Sequence, residues 1–314
     1  MKIKKAVITA AARNERLYPV ATTVQKAMLP MVDMDGINKP IIQIIAEEAL
    51  QSGIEEICIV CAPGDEQRYL DSFQSLYATS LKIHSQSKWA ETQALSIKNI
   101  LDRLSFVVQA EPLGYGHAVY QAKDFIKNDP FLLLHGDYLF ISNLPNKRCS
   151  KQIIDLAEEE ECSVSAVNPT IEHQIGKYGT LTGRNYKVHE GIYQIEKIIE
   201  KPSISQAELD LKTSGLRAGY YLCFFGMHVF QPLLFDFLSE ELHATNGENI
   251  LLTPVQQKLA LNEKYLALEI RGRRYDTSKK LGLLQAQLAL GLAGQLRDEV
   301  LTTLVQTLSD YTKG

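Results

Sequence analysis

The sequence predicts an α/β fold: a Rossmann-like three-layer sandwich with a mostly parallel mixed sheet, added antiparallel strands and a C-terminal helical tail. Two patterns support this prediction. In the first half of the chain, apolar runs of strand length alternate with helical patterns, and this β-α-β rhythm is typical of a parallel sheet with helices on both faces. After about residue 160 the segments become shorter and alternate in polarity, which indicates antiparallel strands.

The individual elements follow from local pattern. Strands are predicted in the first half at Lys5–Thr9, Glu56–Cys61, 106–109 and Phe131–His135. Helices are predicted at 40–52, which Gly53 ends, around 65–74 and at 115–126. Further strands are predicted within SVSAVNP, KYGTLTG, YQIEKIIEKP and RAGYYLCFFG, and at 265–270. Residues 279–308 carry Leu, Ala and Gln at helical spacing, which predicts a tail that packs on the body or on a partner.

The composition argues against several classes of protein. The 314 residues are 45% hydrophobic and 22% charged, with a formal net charge of −4. A general nucleic-acid binder would need a basic face, so this balance argues against one. No apolar run reaches the length of a membrane helix, and the N-terminal apolar run fits a buried strand better than a signal peptide. We therefore expect a cytoplasmic protein that binds neither nucleic acid nor membrane.

The cysteines are expected to be reduced and buried. They are odd in number and lie mostly in apolar, strand-like segments: Cys58, Cys61, Cys149, Cys162 and Cys223. The CIVC segment has the spacing of a CxxC pair, but residues three apart in a strand face opposite sides. This usage is typical of a reducing compartment.

Polar and glycine-rich segments follow three of the predicted strands. In an open parallel sheet, ligands bind outside the carboxyl ends of the strands. The first strand is followed by AAARNERLYP, which contains Arg16, and slightly later by Lys26. The strand at 106–109 is followed by AEPLGYGHA, and the strand Phe131–His135 by Gly136 and Asp137. A basic loop, a glycine-rich loop and a carboxylate at one sheet edge suit a nucleotide with a metal ion.

Six segments carry a resemblance to a known family. They are QKAMLPMVD, QAEPLGYGHAV, HGDYL, KYGTL, IIEKP and RYDTSKKLGLLQA. Their order resembles that of the bacterial UTP–glucose-1-phosphate uridylyltransferases, in the wider sugar-nucleotidyltransferase family, and the resemblance runs from about residue 4 to residue 286. It implies a single nucleotidyltransferase domain over 1–314, with a nucleotide-binding half (1–160), a sugar-binding half (161–276) and a helical tail (277–314) that could form an oligomer contact. A homodimer or homotetramer is expected.

The resemblance also implies roles for individual residues in the nucleotide-binding half. Ala10, Ala11 and Ala12 would lie against the nucleotide, Gln109 would read the uracil edge, and Gly114 would meet the base through its backbone. The catalytic cations would be Arg16 and Lys26, which neutralise the triphosphate. Asp137 would hold Mg²⁺, with Asp276 as the matching second carboxylate. The alternative for Asp276 is a helix cap, because Thr-Ser-Lys follows it.

In the sugar-binding half, the resemblance implies that Glu200 holds sugar hydroxyls and that Lys201 binds phosphate as a further catalytic cation. Gly179 would allow close backbone approach to the sugar, and Gly219 would line the same wall. An ordinary turn is the alternative for both glycines.

The implied reaction is the Mg²⁺-dependent transfer of a uridylyl group from UTP to glucose 1-phosphate, giving UDP-glucose and pyrophosphate. The loop after the first strand departs from the family pattern, because Ala12, Asn14 and Glu15 stand where the family has glycine, glycine and threonine. Two alternatives therefore stay open. One is a weakened or inactive homologue that acts as a regulatory partner or binds nucleotide or sugar. The other is an enzyme that uses a different sugar 1-phosphate. The presence of the charged site residues favours an enzyme.

Overall fold

The computed structural model describes residues 1–12, 23–83, 87–186, 191–245 and 248–311. Its strands are β1 (Lys5–Thr9), β2 (Pro30–Val32), β3 (Asn38–Pro40), β4 (Glu56–Cys61), β5 (Leu104–Val108), β6 (Phe131–His135), β7 (Tyr138–Ser142), β8 (Ser163–Ile171), β9 (Gly179–Asn185), β10 (Ile192–Glu200), β11 (Tyr220–Phe230), β12 (Tyr265–Glu269) and β13 (Gly272–Asp276). Its α-helices are α1 (Ile41–Leu50), α2 (Asp65–Ile83), α3 (Lys88–Leu101), α4 (Tyr115–Tyr120), α5 (Lys123–Ile126), α6 (Cys149–Glu160), α7 (Ile204–Asp210), α8 (Leu234–Ala244), α9 (Leu252–Asn262), α10 (Gly282–Ala293) and α11 (Arg297–Tyr311).

The main sheet has the strand order β5-β4-β1-β6-β11-β8-β12-β10-β9. Strands β5, β4, β1 and β6 pair in parallel, with Thr9 opposite His135 at the carboxyl ends of β1 and β6. Side chains of β1 alternate between two hydrophobic clusters: Ile8 packs in the cluster that contains residues of α1, α2 and α3, whereas Val7 packs in the cluster that contains residues of α4, α8 and α9. Apolar layers therefore cover both faces of this parallel part.

The second part of the sheet closes on itself. Strand β9, at the end of the order, also pairs with β11, where Leu222 lies opposite Leu181. The ring β11-β8-β12-β10-β9 is thus a small closed barrel with mainly antiparallel pairings. The mixed α/β class is confirmed. The parallel pairings are concentrated in the first part, whereas the described partners of β11 are all antiparallel to it.

Strand β11 belongs to both parts of the sheet. Its pairing register with β8 shifts between Phe224 and His228, and Gly226, with a φ of +83°, lies in this bulge. A Cβ atom at Gly226 would overlap the ring of Tyr138. Glycine therefore allows both the bend and the close approach of a ring that lies beside the predicted site.

A second, two-stranded sheet pairs β13 with β7, so that Asp276 lies opposite Tyr138. Both strands, and the helices α3 and α6, were absent from the sequence-based elements. The predicted helix at 115–126 is divided into α4 and α5, and the helix predicted around 65–74 extends through α2. The tail forms α10 and α11 as expected. Within the described part of the chain, none of the helices combines the length and apolar character that crossing a bilayer requires.

Candidate active site

Two cavities meet at the carboxyl end of the parallel strands. The first cavity, of about 650 Å³, is lined by Ala11, Ala12, Lys26, Gln109, Gly114 and Asp137, among others. The second cavity, of about 260 Å³, is lined by Gly179, Glu200 and Lys201, among others. Tyr115 and His135 line both cavities. The structure thus brings most of the predicted site residues to two adjoining spaces.

The floor of the first cavity follows β1 and β6. Ala10 is buried, and its backbone N–H donates to the carbonyl of Val60 at 2.7 Å, which extends the β1–β4 ladder by one residue. Gly136 donates its N–H to the carbonyl of Thr9 at 2.9 Å, so the chain turns tightly after β6. This turn brings Asp137 to the cavity wall, beside Ala11 and Ala12.

Lys26 and Asp137 form an ion pair in the first cavity. The Lys26 Nζ lies 2.6 Å from Asp137 Oδ2, and the two side chains are only 10% and 15% exposed. The backbone carbonyl of Asp137 accepts bonds from the N–H and the hydroxyl of Thr277, at 3.0 and 2.7 Å. The pair is therefore held on both sides, and it places a cation and a carboxylate where a polyphosphate would need them.

Gln109 and Gly114 form the other wall of the first cavity. The buried Gln109 side chain donates to the carbonyl of Gly114 at 3.2 Å, and its Nε2 lies 3.1 Å from Nδ1 of His117. Gly114 has a φ of +106°, and a Cβ atom there would lie 2.5 Å from the carbonyl oxygen of Ile250. Only glycine fits this turn. The amide of Gln109 is thereby fixed, as recognition of a flat base edge requires.

Glu200 and Lys201 lie together in the second cavity. Thr253 donates its hydroxyl to Glu200 Oε2 at 2.6 Å, and the Lys201 Nζ lies 3.3 Å from Glu200 Oε1. A Cβ atom at Gly179 would lie 2.8 Å from the Phe224 ring and 3.2 Å from Glu200 Oε2. Gly179 therefore leaves the room in which Glu200 can meet a ligand.

Gly219 does not join this cavity. It has a φ of +77° in the turn before β11, and its carbonyl accepts the N–H of Glu172 at 2.9 Å. The cavity wall is formed instead by Phe224, Gly226 and His228, farther along β11. A contact of Gly219 with the sugar therefore stays a prediction.

Asp276 lies outside the first cavity and lines a groove of about 1040 Å³ beside α10. Its Oδ1 accepts bonds from the N–H and hydroxyl of Ser278, at 3.0 and 2.5 Å, and its Oδ2 lies 3.3 Å from the Lys279 Nζ. The side chain therefore has the capping contacts that were the alternative for this residue. Its backbone still neighbours Asp137, since Thr277 binds the Asp137 carbonyl.

A divalent cation fits Asp137 chemically. Within the described residues, no group of three or more His, Cys, Asp or Glu side chains is arranged to hold a metal ion. Mg²⁺ does not need such a cluster, because it usually binds one or two carboxylates together with phosphate oxygens and waters. Asp137 supplies a carboxylate on the wall of the first cavity. Arg16 and the divergent positions Asn14 and Glu15 lie outside the described residues.

Sequence reasoning did not identify a set of rings and one guanidinium that line the second cavity. His135 is stacked against Tyr115 and Tyr138, and Arg274 lies over Tyr138 and Tyr178. Burial lowers the pKa of His135 to about 4, so the imidazole is neutral at pH 7. Arg274 opens the RYD segment, but a lone arginine carries no sequence signal that tells a buried platform from a surface charge.

Comparisons with known proteins agree with this geometry. The family model described as nucleotidyl transferase matches residues 5–290. The chain is 33% identical over 308 residues to UTP–glucose-1-phosphate uridylyltransferase 2 of Streptococcus pyogenes, covering 97% of this chain and 96% of the relative. It is 32% identical over 315 residues to a UTP–glucose-1-phosphate uridylyltransferase of Streptococcus pneumoniae, covering 99% and 98%.

Two solved structures are similar over most of the chain. A UDP-glucose pyrophosphorylase complexed with UDP-glucose superposes with a TM-score of 0.72 at 30% identity, covering 91% of this chain and 98% of that one. A UTP-bound UGPase from Acinetobacter baumannii gives a TM-score of 0.76 at 25% identity, covering 96% and 99%.

Proposed function

The chain belongs to the nucleotidyl transferase family, and we propose that it transfers a uridylyl group from UTP to glucose 1-phosphate, giving UDP-glucose and pyrophosphate. The observation that carries this proposal is the pair of adjoining cavities, each with its own lysine and carboxylate. We assign the nucleotide to the first cavity and the sugar phosphate to the second. The names of the similar proteins support this assignment.

The reaction requires that the two substrates be positioned and that charge be stabilised in the transition state. A phosphate oxygen of glucose 1-phosphate attacks the α-phosphorus of UTP in line, and pyrophosphate leaves. The attacking oxygen is already an anion, so no strong general base is needed. The obstacles are repulsion between anions and the entropy of alignment, and alignment alone can contribute about 7–11 kcal/mol. Two cavities that meet at Tyr115 and His135 hold both substrates side by side.

Each charged residue has a defined part in this reaction. We assign the neutralisation of the triphosphate to Lys26 and Arg16. Lys201 binds the phosphate of the sugar, and Glu200 accepts hydrogen bonds from its hydroxyls. Because Lys26 is fixed by Asp137 before any ligand binds, it stabilises developing charge without reorganisation.

Mg²⁺ is the proposed cofactor, with Asp137 as its protein ligand. When bound, it withdraws charge from the phosphate oxygens and the departing pyrophosphate. The role of Asp276 as the second Mg²⁺ ligand stays a prediction. To bind the metal, its carboxylate has to give up its ion pair with Lys279.

Three further proposals concern the molecule as a whole. We propose that 1–314 is one nucleotidyltransferase domain, since β11 joins its two halves. We also propose that its parallel part is a Rossmann-like three-layer sandwich, which the two hydrophobic clusters on either side of β1 support.

We propose a cytoplasmic enzyme, since all five cysteines are free and buried. We also propose a homodimer or homotetramer that forms through the tail, where Leu301 and Val305 of α11 are exposed; light scattering measures its mass.

The decisive experiment measures pyrophosphate release from UTP and glucose 1-phosphate with Mg²⁺, with Asp137→Ala as the control. Release well above that control is expected. No release above it contradicts the proposal for this substrate pair, and other sugar 1-phosphates are then compared in the same assay. UTP binding without turnover would instead support the non-catalytic alternative. Reverting Ala12 and Asn14 to glycine and Glu15 to threonine tests the loop, since activity rises if these residues weaken phosphate binding.

A further inference from the structure

Four rings and one guanidinium form a continuous stack that lines the second cavity, and two of the rings also line the first. We call it the aromatic column, and its members in spatial order are Tyr115, His135, Tyr138, Arg274 and Tyr178. The ring centroids of Tyr115 and His135 are 4.4 Å apart, and those of His135 and Tyr138 are 4.7 Å apart. The guanidinium carbon of Arg274 lies 5.0 Å from the Tyr138 ring centre and 4.4 Å from that of Tyr178.

Arg274 is the residue that joins the two ends of the column. It lies partly buried in β13, and its Nη1 donates to the backbone carbonyl of Phe224 at 2.7 Å, which fixes the plane of the guanidinium. It also lies 5.9 Å from the ring centre of Phe225. Contacts with three aromatic faces and a carbonyl leave little freedom for this side chain.

The Tyr178 end of the column is connected to the second cavity through the backbone. The carbonyl of Tyr178 accepts the N–H of Lys201 at 3.1 Å and the hydroxyl of Thr180 at 3.2 Å, and Gly179 follows directly. The Tyr178 hydroxyl accepts a bond from the Lys279 Nζ at 2.9 Å. The orientation of the Tyr178 ring is therefore transmitted to Lys201 and Gly179, which line the second cavity.

The other end of the column, formed by Tyr115 and His135, lines both cavities. Tyr138 directly follows Asp137, and its ring packs on His135, which lines both cavities. The two cavities differ in the other contacts that hold their charged residues. Asp137 has its own supports in Lys26 and Thr277, whereas the Lys201 side chain is 60% exposed and has the adjacent Glu200 as its ion-pair partner. Loss of Arg274 should therefore disturb the second cavity more than the first.

We propose that Arg274 is a positioning residue for the sugar phosphate: it holds Tyr178, and through it the wall formed by Gly179 and Lys201. This inference rests on the proposed function, because it assigns the sugar phosphate to the second cavity. The role requires arginine, since a planar guanidinium can stack between two rings and still donate to a carbonyl. A lysine at this position keeps the charge but has no plane to stack.

The test compares Arg274→Lys with the wild type in two assays. In steady-state kinetics the KM for glucose 1-phosphate should rise about tenfold, while the KM for UTP changes less than threefold. In calorimetric titrations the variant should bind UDP-glucose about tenfold more weakly and UDP with nearly unchanged affinity. Equal changes for both substrates, or none for either, contradict the inference, as does a wild type that binds UDP-glucose no more tightly than UDP.

Matched variants separate positioning from general destabilisation. Arg271→Lys changes an exposed arginine three residues earlier and should leave both assays unchanged. Tyr178→Leu removes the stacked ring and should reproduce the Arg274→Lys pattern, whereas Tyr178→Phe, which keeps the ring but loses the bond from Lys279, should show the same pattern to a smaller extent. If Tyr178→Leu leaves the UDP-glucose to UDP affinity ratio intact, the column does not transmit the effect.

The two assays also distinguish this inference from the proposed function. Binding without turnover in the wild type contradicts the proposed function alone, because the calorimetric ratio still reports on Arg274. A wild type that binds no UDP-glucose contradicts both. A fall in the unfolding temperature of Arg274→Lys together with equal loss of UDP and UDP-glucose affinity assigns Arg274 a purely structural role and overturns the inference.

Discussion

The two cavities each contain a lysine–carboxylate pair, but they hold it in different ways. In the first cavity Lys26 and Asp137 are 111 positions apart in the chain, lie 2.6 Å apart and are nearly buried. In the second, Glu200 and Lys201 are neighbours in sequence, lie 3.3 Å apart and are 30% and 60% exposed. The fold thus fixes the charges of the proposed nucleotide cavity more firmly than those of the proposed sugar-phosphate cavity.

The largest effect is expected when the buried pair loses its carboxylate. Asp137→Asn keeps the size of the side chain but removes the metal ligand and leaves Lys26 without its anionic partner. We expect uridylyl transfer to fall by about 10²–10³, the loss typical when a group that stabilises transition-state charge is removed. The Mg²⁺ concentration for half-maximal rate should rise as well. Both are measured by pyrophosphate release over a titration of Mg²⁺.

Two controls accompany this variant. Asp236→Asn removes an exposed carboxylate of α8 and should leave the rate unchanged. Asp276→Asn keeps a side chain that can cap Ser278, so a rate loss above tenfold without a lower unfolding temperature would identify Asp276 as the second metal ligand. A rate for Asp137→Asn within tenfold of the wild type would show that Asp137 does not bind the metal.

The second prediction compares the two lysines directly. Lys201→Met should raise the KM for glucose 1-phosphate at least tenfold and leave stability unchanged, because exposed ion pairs contribute only about 0–1 kcal/mol. Lys26→Met should raise the KM for UTP and also lower the free energy of unfolding by about 1–3 kcal/mol, since Asp137 is left as a nearly buried, unpaired charge. Steady-state kinetics and urea unfolding measure both effects. If Lys201→Met and Lys26→Met lose the same free energy of unfolding, the proposed difference between the exposed pair and the buried pair is wrong.

The same contrast explains how much the sequence could predict. Strands such as Lys5–Thr9 and Phe131–His135 were predicted at their observed bounds, because apolar runs of strand length between polar residues have one interpretation. The rule that ligands bind outside the carboxyl ends of parallel strands then predicted that Asp137 and Gln109 lie at one edge of the sheet. Lys26 and Asp137 were both expected at this edge, but their ion pair was not predicted from the sequence.

The remaining features depend on contacts between distant segments. Closure of the barrel requires β9 to meet β11, and periodicity within a segment does not determine its partner. The positions of Gly219 and Asp276 depend on the turn before β11 and on the contacts with Ser278, which local pattern does not determine. The aromatic column is of the same kind, since its five members come from four separate segments that meet only in the folded chain.

A further effect, of pH on stability, concerns the barrel. His228 is buried in β11, where its Nδ1 lies 2.6 Å from the Ser165 hydroxyl and 3.4 Å from Gln256 Nε2, and its ring packs against Phe224 and Phe230. Burial, with a smaller contribution from His135, lowers the pKa of His228 to about 3. The ordinary value is about 6.5, so the unfolded chain binds the proton more readily than the folded chain between these two values.

Stability should therefore be complete above about pH 6.5 and decline as the pH falls toward 3. For this one group the linkage amounts to a loss of about 2 kcal/mol between pH 7 and pH 5. His228→Gln removes the titrating group, so its free energy of unfolding should decline less than that of the wild type over this range, by about that amount. Urea unfolding at both pH values measures the difference, and His135, present in both proteins, cancels. Parallel decline of the two proteins would show that His228 is not buried in its neutral form.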